Sequence, residues 1–274
     1  MAIVVRSEGC TNPYAETMSD RSEPRFETLS GGNMGPILRR GGDVYRTAGE
    51  WTPAVHRLLR HCRAAGMTGV PEPQRVTDDG QEVLSFLPGD VPAYPMPAWV
   101  WSSEALTSSA RLLRRFHEAS QTCDRTGPWR SPVREPTEVV CHNDFAPYNL
   151  VFSGGAVTGV IDFDYASPGP RLWDLAYLAY GIVPLTTQDA GDGFGRAERT
   201  QRLTSLLGAY GGSYGHAEVL DTVRERLVAL AVFSDQMAES LGKPELREHA
   251  DLYRRDAESI TGADPGDPEP LHVI

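Results

Sequence analysis

The chain has 274 residues, 40% of them hydrophobic, with 37 acidic side chains against 26 basic ones and a formal charge of −11 at pH 7. That length suits one large domain or two lobes around a substantial core. The acidic surplus argues against nucleic acid or an anionic membrane as the main partner, since both are bound through clustered Lys and Arg. No apolar run approaches the roughly 20 residues that span a bilayer. Lys243 is the only lysine. Arginine-rich codon usage explains this as composition, but it matters for any chemistry that employs a lysine. Cys10, Cys62, Cys123 and Cys141 stand far apart with no CxxC pair, and the amino terminus turns polar after five residues. Both features point to a reducing cytoplasm.

Residues 1–24 are rich in Ser, Glu, Asp, Thr and Pro and are expected to form a mobile tail. From Arg25 the pattern alternates as strands do: FETL, the glycine-rich SGGNMG, PILRR, a GGD turn and VYRTA read as an antiparallel start. A helix follows, with Thr52 as its expected N-cap, Pro53 at the first helical position, Val55, Leu58, Leu59 and Cys62 on one face, and Gly66 at its end. QRVT and QEVLSFL, flanking Asp78-Asp79-Gly80, predict a hairpin. Residues 25–87 thus form a small lobe. The prolines at 88, 92, 95 and 97 predict a hinge over 88–97, and residues 98–262 read as a mainly helical lobe, with 263–274 as a turn-rich tail. Ser103 is the expected cap of a helix carrying Leu106, Leu112, Leu113 and Phe116. Further helices are expected over 171–180, 196–210, 217–241 and 246–260.

One strand-rich insert, 138–164, interrupts the helical lobe. Val139 to Cys141 is a short apolar strand broken by His142-Asn143-Asp144, and Asn149 follows five positions after Asp144. Leu150 to Phe152 resumes a strand, Gly154-Gly155 turns it, and Ala156 to Ile161 returns, ending at Asp162 and Asp164. The hairpin brings a loop carrying Asp and Asn beside a second acidic loop. In an extended strand, Asp162 and Asp164 would share a face.

The H-x-D-x4-N pattern, followed by IDFDYASPGPRLWDLAY, resembles the protein-kinase catalytic loop and its metal-binding D-F-G. It is more similar to the aminoglycoside phosphotransferase and choline kinase family. LSGGNMG, EWTPAVHRLLRH, EVLSFLPG and CHNDFAPYNLVF resemble a bacterial subgroup of small phosphotransferase-family proteins, some labelled trifolitoxin-immunity-like. The resemblance spans about Phe26 to Ile260 and is diagnostic over Val139 to Tyr180. It implies an α+β, protein-kinase-like, two-lobed fold. It implies Asp144 as the catalytic carboxylate, with His142 beside it in the loop, most similar to a scaffolding histidine that holds backbone. Asn149 and Asp162 would hold Mg2+, and Asp174 would tie the catalytic loop to the next helix. Asp164 stays open between a further metal residue and a local backbone cap. Gly31, Gly32 and Asn33 would cover the nucleotide phosphates, and Phe86 belongs with them as a nucleotide-binding candidate.

The same resemblance calls for a phosphate-binding lysine on the strand at 43–48 and a glutamate on the following helix. The sequence has neither. Arg46 is the stand-in, with His56 on the helix where the acid would be, and the alternative for Arg46 is a solvated edge-strand charge. The implied activity is transfer of the terminal phosphoryl group of ATP, or of GTP, to a hydroxyl of a small molecule, an antibiotic among the candidates. The missing lysine–glutamate pair motivates an alternative, a kinase-like binding or immunity protein without turnover. A third reading is a metal-dependent phosphohydrolase built on His142, Asp144, Asp162 and Asp164.

Overall fold

A computed structural model describes residues 25–29, 36–186 and 193–260. Gly31, Gly32 and Asn33 lie outside the described residues. The chain opens with strands β1 (Glu27–Leu29), β2 (Ile37–Arg40) and β3 (Asp43–Thr47), then helix α1 (Thr52–Ala64) and the hairpin β4 (Pro73–Val76) and β5 (Gln81–Ser85). The strands form one antiparallel sheet in the order β1-β2-β3-β5-β4. Val44 faces Leu84 and Arg46 faces Glu82 across β3 and β5, so these four side chains share one face. Trp51, not Thr52, is the N-cap of α1. Thr52 is already helical, and its hydroxyl instead accepts from the Gly49 N–H at 2.9 Å, closing the turn before the helix.

The expected hinge is tied down. Asp90 and Phe152 exchange both backbone hydrogen bonds at 2.8 Å, fastening the proline-rich stretch to the middle of the chain. Gly89 makes this approach feasible: its φ is +146°, and a Cβ there would lie 2.5 Å from the Phe152 carbonyl oxygen.

The larger part begins with α2 (Ser103–Ser120), capped one residue earlier than expected by Ser102, whose hydroxyl accepts from Ala105 N at 3.1 Å. Strand β6 (Val139–Cys141) leads into His142-Asn143-Asp144, and β7 (Leu150–Ser153) pairs with β8 (Ala156–Val160) as the expected hairpin. Strand β9 (Ser167–Gly169) returns to pair with β6. Then come α3 (Arg171–Ile182), α4 (Arg196–Tyr210), α5 (His216–Leu241) and α6 (Leu246–Ser259). One hydrophobic core runs from Leu58 and Leu59 of α1 through Leu112 and Phe116 of α2 to Leu150, Val160, Leu175 and Leu227. The short strands 139–141 and 150–160 therefore sit on a packed helical base. No helix among the described residues is long and apolar enough to cross a membrane.

Candidate active site

Three buried residues shape the loop after β6. Asp174, in the first turn of α3, is fully buried and works as a hub. Its Oδ2 accepts from the His142 N–H at 2.6 Å, and its Oδ1 accepts from the Asn143 N–H at 2.8 Å. His117 Nε2 lies 3.2 Å from the same carboxylate, and His117 Nδ1 lies 2.8 Å from the Tyr210 hydroxyl. Burial pushes the Asp174 carboxyl up, but the His117 hydrogen bond and nearby positive charge outweigh it and leave its pKa below the usual value. Asp174 thus ties the loop to the following helix.

His142 is wholly committed to backbone. Its Nε2 lies 2.9 Å from the Ile161 carbonyl oxygen, which can only accept, so Nε2 carries the proton. Nδ1 is then free to accept from the Asp144 N–H at 3.2 Å. This histidine locks the loop onto the end of the hairpin and presents no free nitrogen to a substrate. Asn143 adopts a left-handed conformation, φ 64°, held by its side-chain amide, which donates to Tyr165 O and Ser167 Oγ at 2.8 Å each. From α5, Arg226 donates to the Asn143 carbonyl and lies over the rings of Trp173 and Tyr177.

These supports display Asp144. Its Oδ1 accepts from the Tyr148 hydroxyl at 2.7 Å and its Oδ2 from Asn149 Nδ2 at 2.8 Å. Burial raises its pKa above 3.8, and the Tyr148 hydrogen bond opposes that shift. The Tyr148 hydroxyl also lies 2.8 Å from that of Tyr177, so a phenol pair backs the carboxylate. Asn149 also donates to the Asp144 carbonyl, and the Ile161 N–H donates to the Asn149 carbonyl at 2.9 Å, which sets Asn149 beside the start of the second acidic loop.

That loop is not extended. Asp162 is left-handed, φ 65°, and residues Phe163–Tyr165 form a 3-10 turn, so the shared strand face expected for Asp162 and Asp164 does not exist. Asp162 is the more exposed of the two, at 46% for its side chain. Asp164 is drawn inward: its Oδ1 lies 2.6 Å from Arg46 Nη2, its Oδ2 lies 3.6 Å from Arg130 Nη1, and Trp51 donates to it. Arg130 is sandwiched between the rings of Trp51 and Tyr165, at 4.3 and 4.5 Å from their centroids.

Arg46 crosses from the sheet to this loop, 14% exposed. It is no solvated edge charge. Nε pairs with Glu82 Oε1 at 2.6 Å, Nη1 with Asp162 Oδ1 at 3.0 Å and Nη2 with Asp164 Oδ1 at 2.6 Å. Burial would lower its pKa, but the three carboxylates together raise it, so the guanidinium is permanently charged. Glu82, 1% exposed, also contacts His56 Nε2 of α1 at 2.9 Å. The acid expected on the helix is supplied instead by β5, and His56 faces that acid. Phe86, after β5, lies under the Arg39 guanidinium, 3.8 Å from its ring centroid.

Sequence reasoning missed Glu82, Tyr148, Arg130 and Arg226. Glu82 leaves one trace, the only charge in its strand, and it stands opposite Arg46. The other three become meaningful only in three dimensions.

Two side-chain oxygens are candidates to hold a divalent cation. Asn149 spends its Nδ2 on Asp144, and among the described residues its Oδ1 accepts no hydrogen bond; Asp162 Oδ2 likewise has no partner there. Both are hard oxygen donors. No group of three or more His, Cys, Asp or Glu side chains among the described residues could hold a metal. Two protein oxygens with the remaining positions left to phosphate and water is the manner in which Mg2+ is commonly bound.

The model of the phosphotransferase enzyme family matches residues 121–224, which include the site residues from His142 to Asp174. The trifolitoxin immunity protein of Rhizobium leguminosarum bv. trifolii is 33% identical over 194 residues, 67% of this chain and 73% of that protein. Among solved structures, a choline/ethanolamine kinase family protein from Mesorhizobium loti superposes with a TM-score of 0.59 at 18% identity, covering 86% of this chain and 87% of that one. An amicoumacin kinase in complex with AMP-PNP and Ca2+ gives 0.62 at 12% identity, covering 88% and 90%. The macrolide 2'-phosphotransferase of Brachybacterium faecium gives 0.55 at 16%, covering 90% and 93%. The fold is therefore the protein-kinase-like α+β fold, an antiparallel-sheet lobe on a larger helical one. With these relatives and the loop held by Asp174, the chain belongs to the phosphotransferase enzyme family.

Proposed function

We propose that the protein transfers the terminal phosphoryl group of ATP, or GTP, to a hydroxyl of a small molecule, with Asp144 as the base. The observation that carries this reading is the placement of Asp144 between Tyr148 and Asn149, on a loop whose backbone is fixed by Asp174 and His142. A carboxylate so held can accept the acceptor's proton as its oxygen attacks the terminal phosphorus. The new O–P bond forms as the bond to the β-phosphate oxygen breaks. Burial raises the Asp144 pKa, which strengthens it as a base.

Asn149 and Asp162 are the residues that would hold Mg2+, which when bound supplies charge neutralisation of the phosphate oxygens. Asp164 is assigned instead to orienting Arg46, because both its oxygens face arginines. Arg46 presents a planar fork to phosphate oxygens, with Glu82 holding its Nε end. On this reading residues 25–87 are the nucleotide-covering lobe, with Gly31, Gly32, Asn33 and Phe86 as nucleotide-binding candidates, and residues 98–262 carry the chemistry. The relative named for immunity to a toxin favours a toxic compound as acceptor, and the widely spaced cysteines favour a cytoplasmic site of action. Titration with Mg-ATP and Mg-GTP, followed by mass spectrometry of candidate acceptors, tests the proposal. Failure of both nucleotides to bind at millimolar concentration refutes it.

A second reading, a kinase-like binding protein without turnover, is favoured by the absence of any lysine before Lys243. It requires Asp144→Asn to keep the cellular phenotype, whereas phosphoryl transfer requires a folded Asp144→Asn protein to lose it.

A further inference from the structure

Arg46 is engaged at three points at once. Its Nε end is anchored in the sheet by Glu82, which is itself braced by His56. Its two Nη groups reach 3.0 Å to Asp162 and 2.6 Å to Asp164. The anchor is buried and the far end less so: Glu82 is 1% exposed, Asp162 46%. The guanidinium is thus a fork hinged at its base, with two tines resting on the acidic loop. One tine lies on the carboxylate that, by the preceding reading, holds the divalent cation, and this inference rests on that reading. Asp162 cannot serve a guanidinium and a dication without a cost, because the two positive charges would then sit on either side of one carboxylate, partly shielded from water.

We propose that Arg46 is an internal counter-cation that keeps a divalent ion off Asp162 until nucleotide phosphates draw the guanidinium away. The phosphates offer the two Nη groups the oxygens they otherwise find on Asp162 and Asp164, and Glu82 keeps the fork within reach throughout. Asp162 is then free for the cation. Cation and nucleotide therefore bind as a coupled pair, each raising the affinity for the other by the same factor. The arrangement depends on an arginine: a lysine ammonium is a point charge that cannot hold Glu82, Asp162 and Asp164 in one plane.

The experiment measures Mn2+ binding to the full chain without nucleotide, by the loss of the free-ion electron paramagnetic resonance signal. Wild type, Arg46→Met and Arg46→Lys are compared, each first shown to melt cooperatively. The expected result is weak binding by wild type, at least tenfold tighter binding by Arg46→Met, and an intermediate affinity for Arg46→Lys. With ATP present, and after subtraction of the Mn2+ that the same ATP binds without protein, the wild-type protein reaches the Mn2+ affinity of Arg46→Met. If Arg46→Met does not fold, Arg46→Lys decides alone: tighter binding supports the proposal. Unchanged Mn2+ affinity in the folded variants overturns it, as does wild-type binding that is equally tight with and without ATP. Absence of ATP binding to wild type would strike the functional reading instead, and the nucleotide-free comparison would still decide the fork.

Discussion

Asp144 and Glu82 are the two carboxylates on which most depends at the scale of single residues, and they do different work. On the proposed reading Asp144 touches the reaction. Asp144→Asn keeps the shape, but its single amide oxygen can accept from only one of Tyr148 and Asn149, and it cannot take up a proton, so turnover should fall by about 10²–10⁴ with nucleotide affinity unchanged. Steady-state kinetics with a titration of Mg-ATP checks this. Glu82 touches only protein. Glu82→Gln removes the charge between Arg46 Nε and His56 at a position 1% exposed. It should cost roughly 2–4 kcal/mol of stability by leaving a buried guanidinium short of a partner, and should weaken nucleotide binding more than it slows turnover. Urea unfolding beside KM and kcat separates the two effects. Glu82 also marks a limit of the sequence. The motif around Asp144 is contiguous and readable, whereas the partner of Arg46 lies 36 positions away on a strand, found only once β3 and β5 are placed in register.

At the scale of elements, the catalytic loop is held from α2 and α3 by His117 and Asp174. Both are fully buried, and both bind fewer protons in the folded chain than in the unfolded one. Burial lowers the His117 pKa below 6.5 despite the Asp174 carboxylate beside it. Asp174 lies below 3.8, as the hydrogen bond from His117 overcomes the burial that would raise it. For each group the folded value is depressed, so its contribution is fully present above the unfolded value and lost as pH falls towards the folded one. Stability should therefore decline as pH falls below about 6.5, by at most about 1.4 kcal/mol per pH unit for the imidazole, with Asp174 adding a second loss below 3.8. His117→Gln should flatten the first decline; urea midpoints at pH 7.5, 6.0 and 5.0 measure it. The helices were legible because apolar residues recur with their period, as in Leu106, Leu112, Leu113 and Phe116 of α2. Strand β9 was not: Ser167-Pro168-Gly169 has no strand-like side-chain pattern and is defined by its backbone pairing with β6. The caps of α1 and α2 each lie one residue before the expected position: Ser102 is extended and its hydroxyl caps α2, while the Thr52 hydroxyl is spent on the Gly49 N–H and Trp51 precedes α1 without a side-chain cap.

At the scale of the whole molecule, the acidic surplus and the single lysine have one structural consequence. Positive charge at the site comes from arginines, Arg46 and Arg130 on the acidic loop and Arg226 behind the catalytic loop, each set against carboxylates or aromatic rings. The small lobe contributes Arg46 and Glu82, the large one Asp144, Asn149 and Asp162. A nucleotide between them would thus be held from both sides, and with so few protein oxygens for a cation, metal and nucleotide should depend on each other. EDTA should abolish ATP binding measured calorimetrically, and added Mg2+ should restore it. The most direct test of phosphoryl transfer is a titration of the wild-type chain and Asp144→Asn with Mg-ATP and Mg-GTP, followed by mass spectrometry of hydroxyl-bearing small molecules incubated with each. Both proteins should bind at least one nucleotide, and only wild type should add the mass of one phosphoryl group to an acceptor. Neither nucleotide binding at millimolar concentration, or equal transfer by Asp144→Asn, would contradict the assignment of this site.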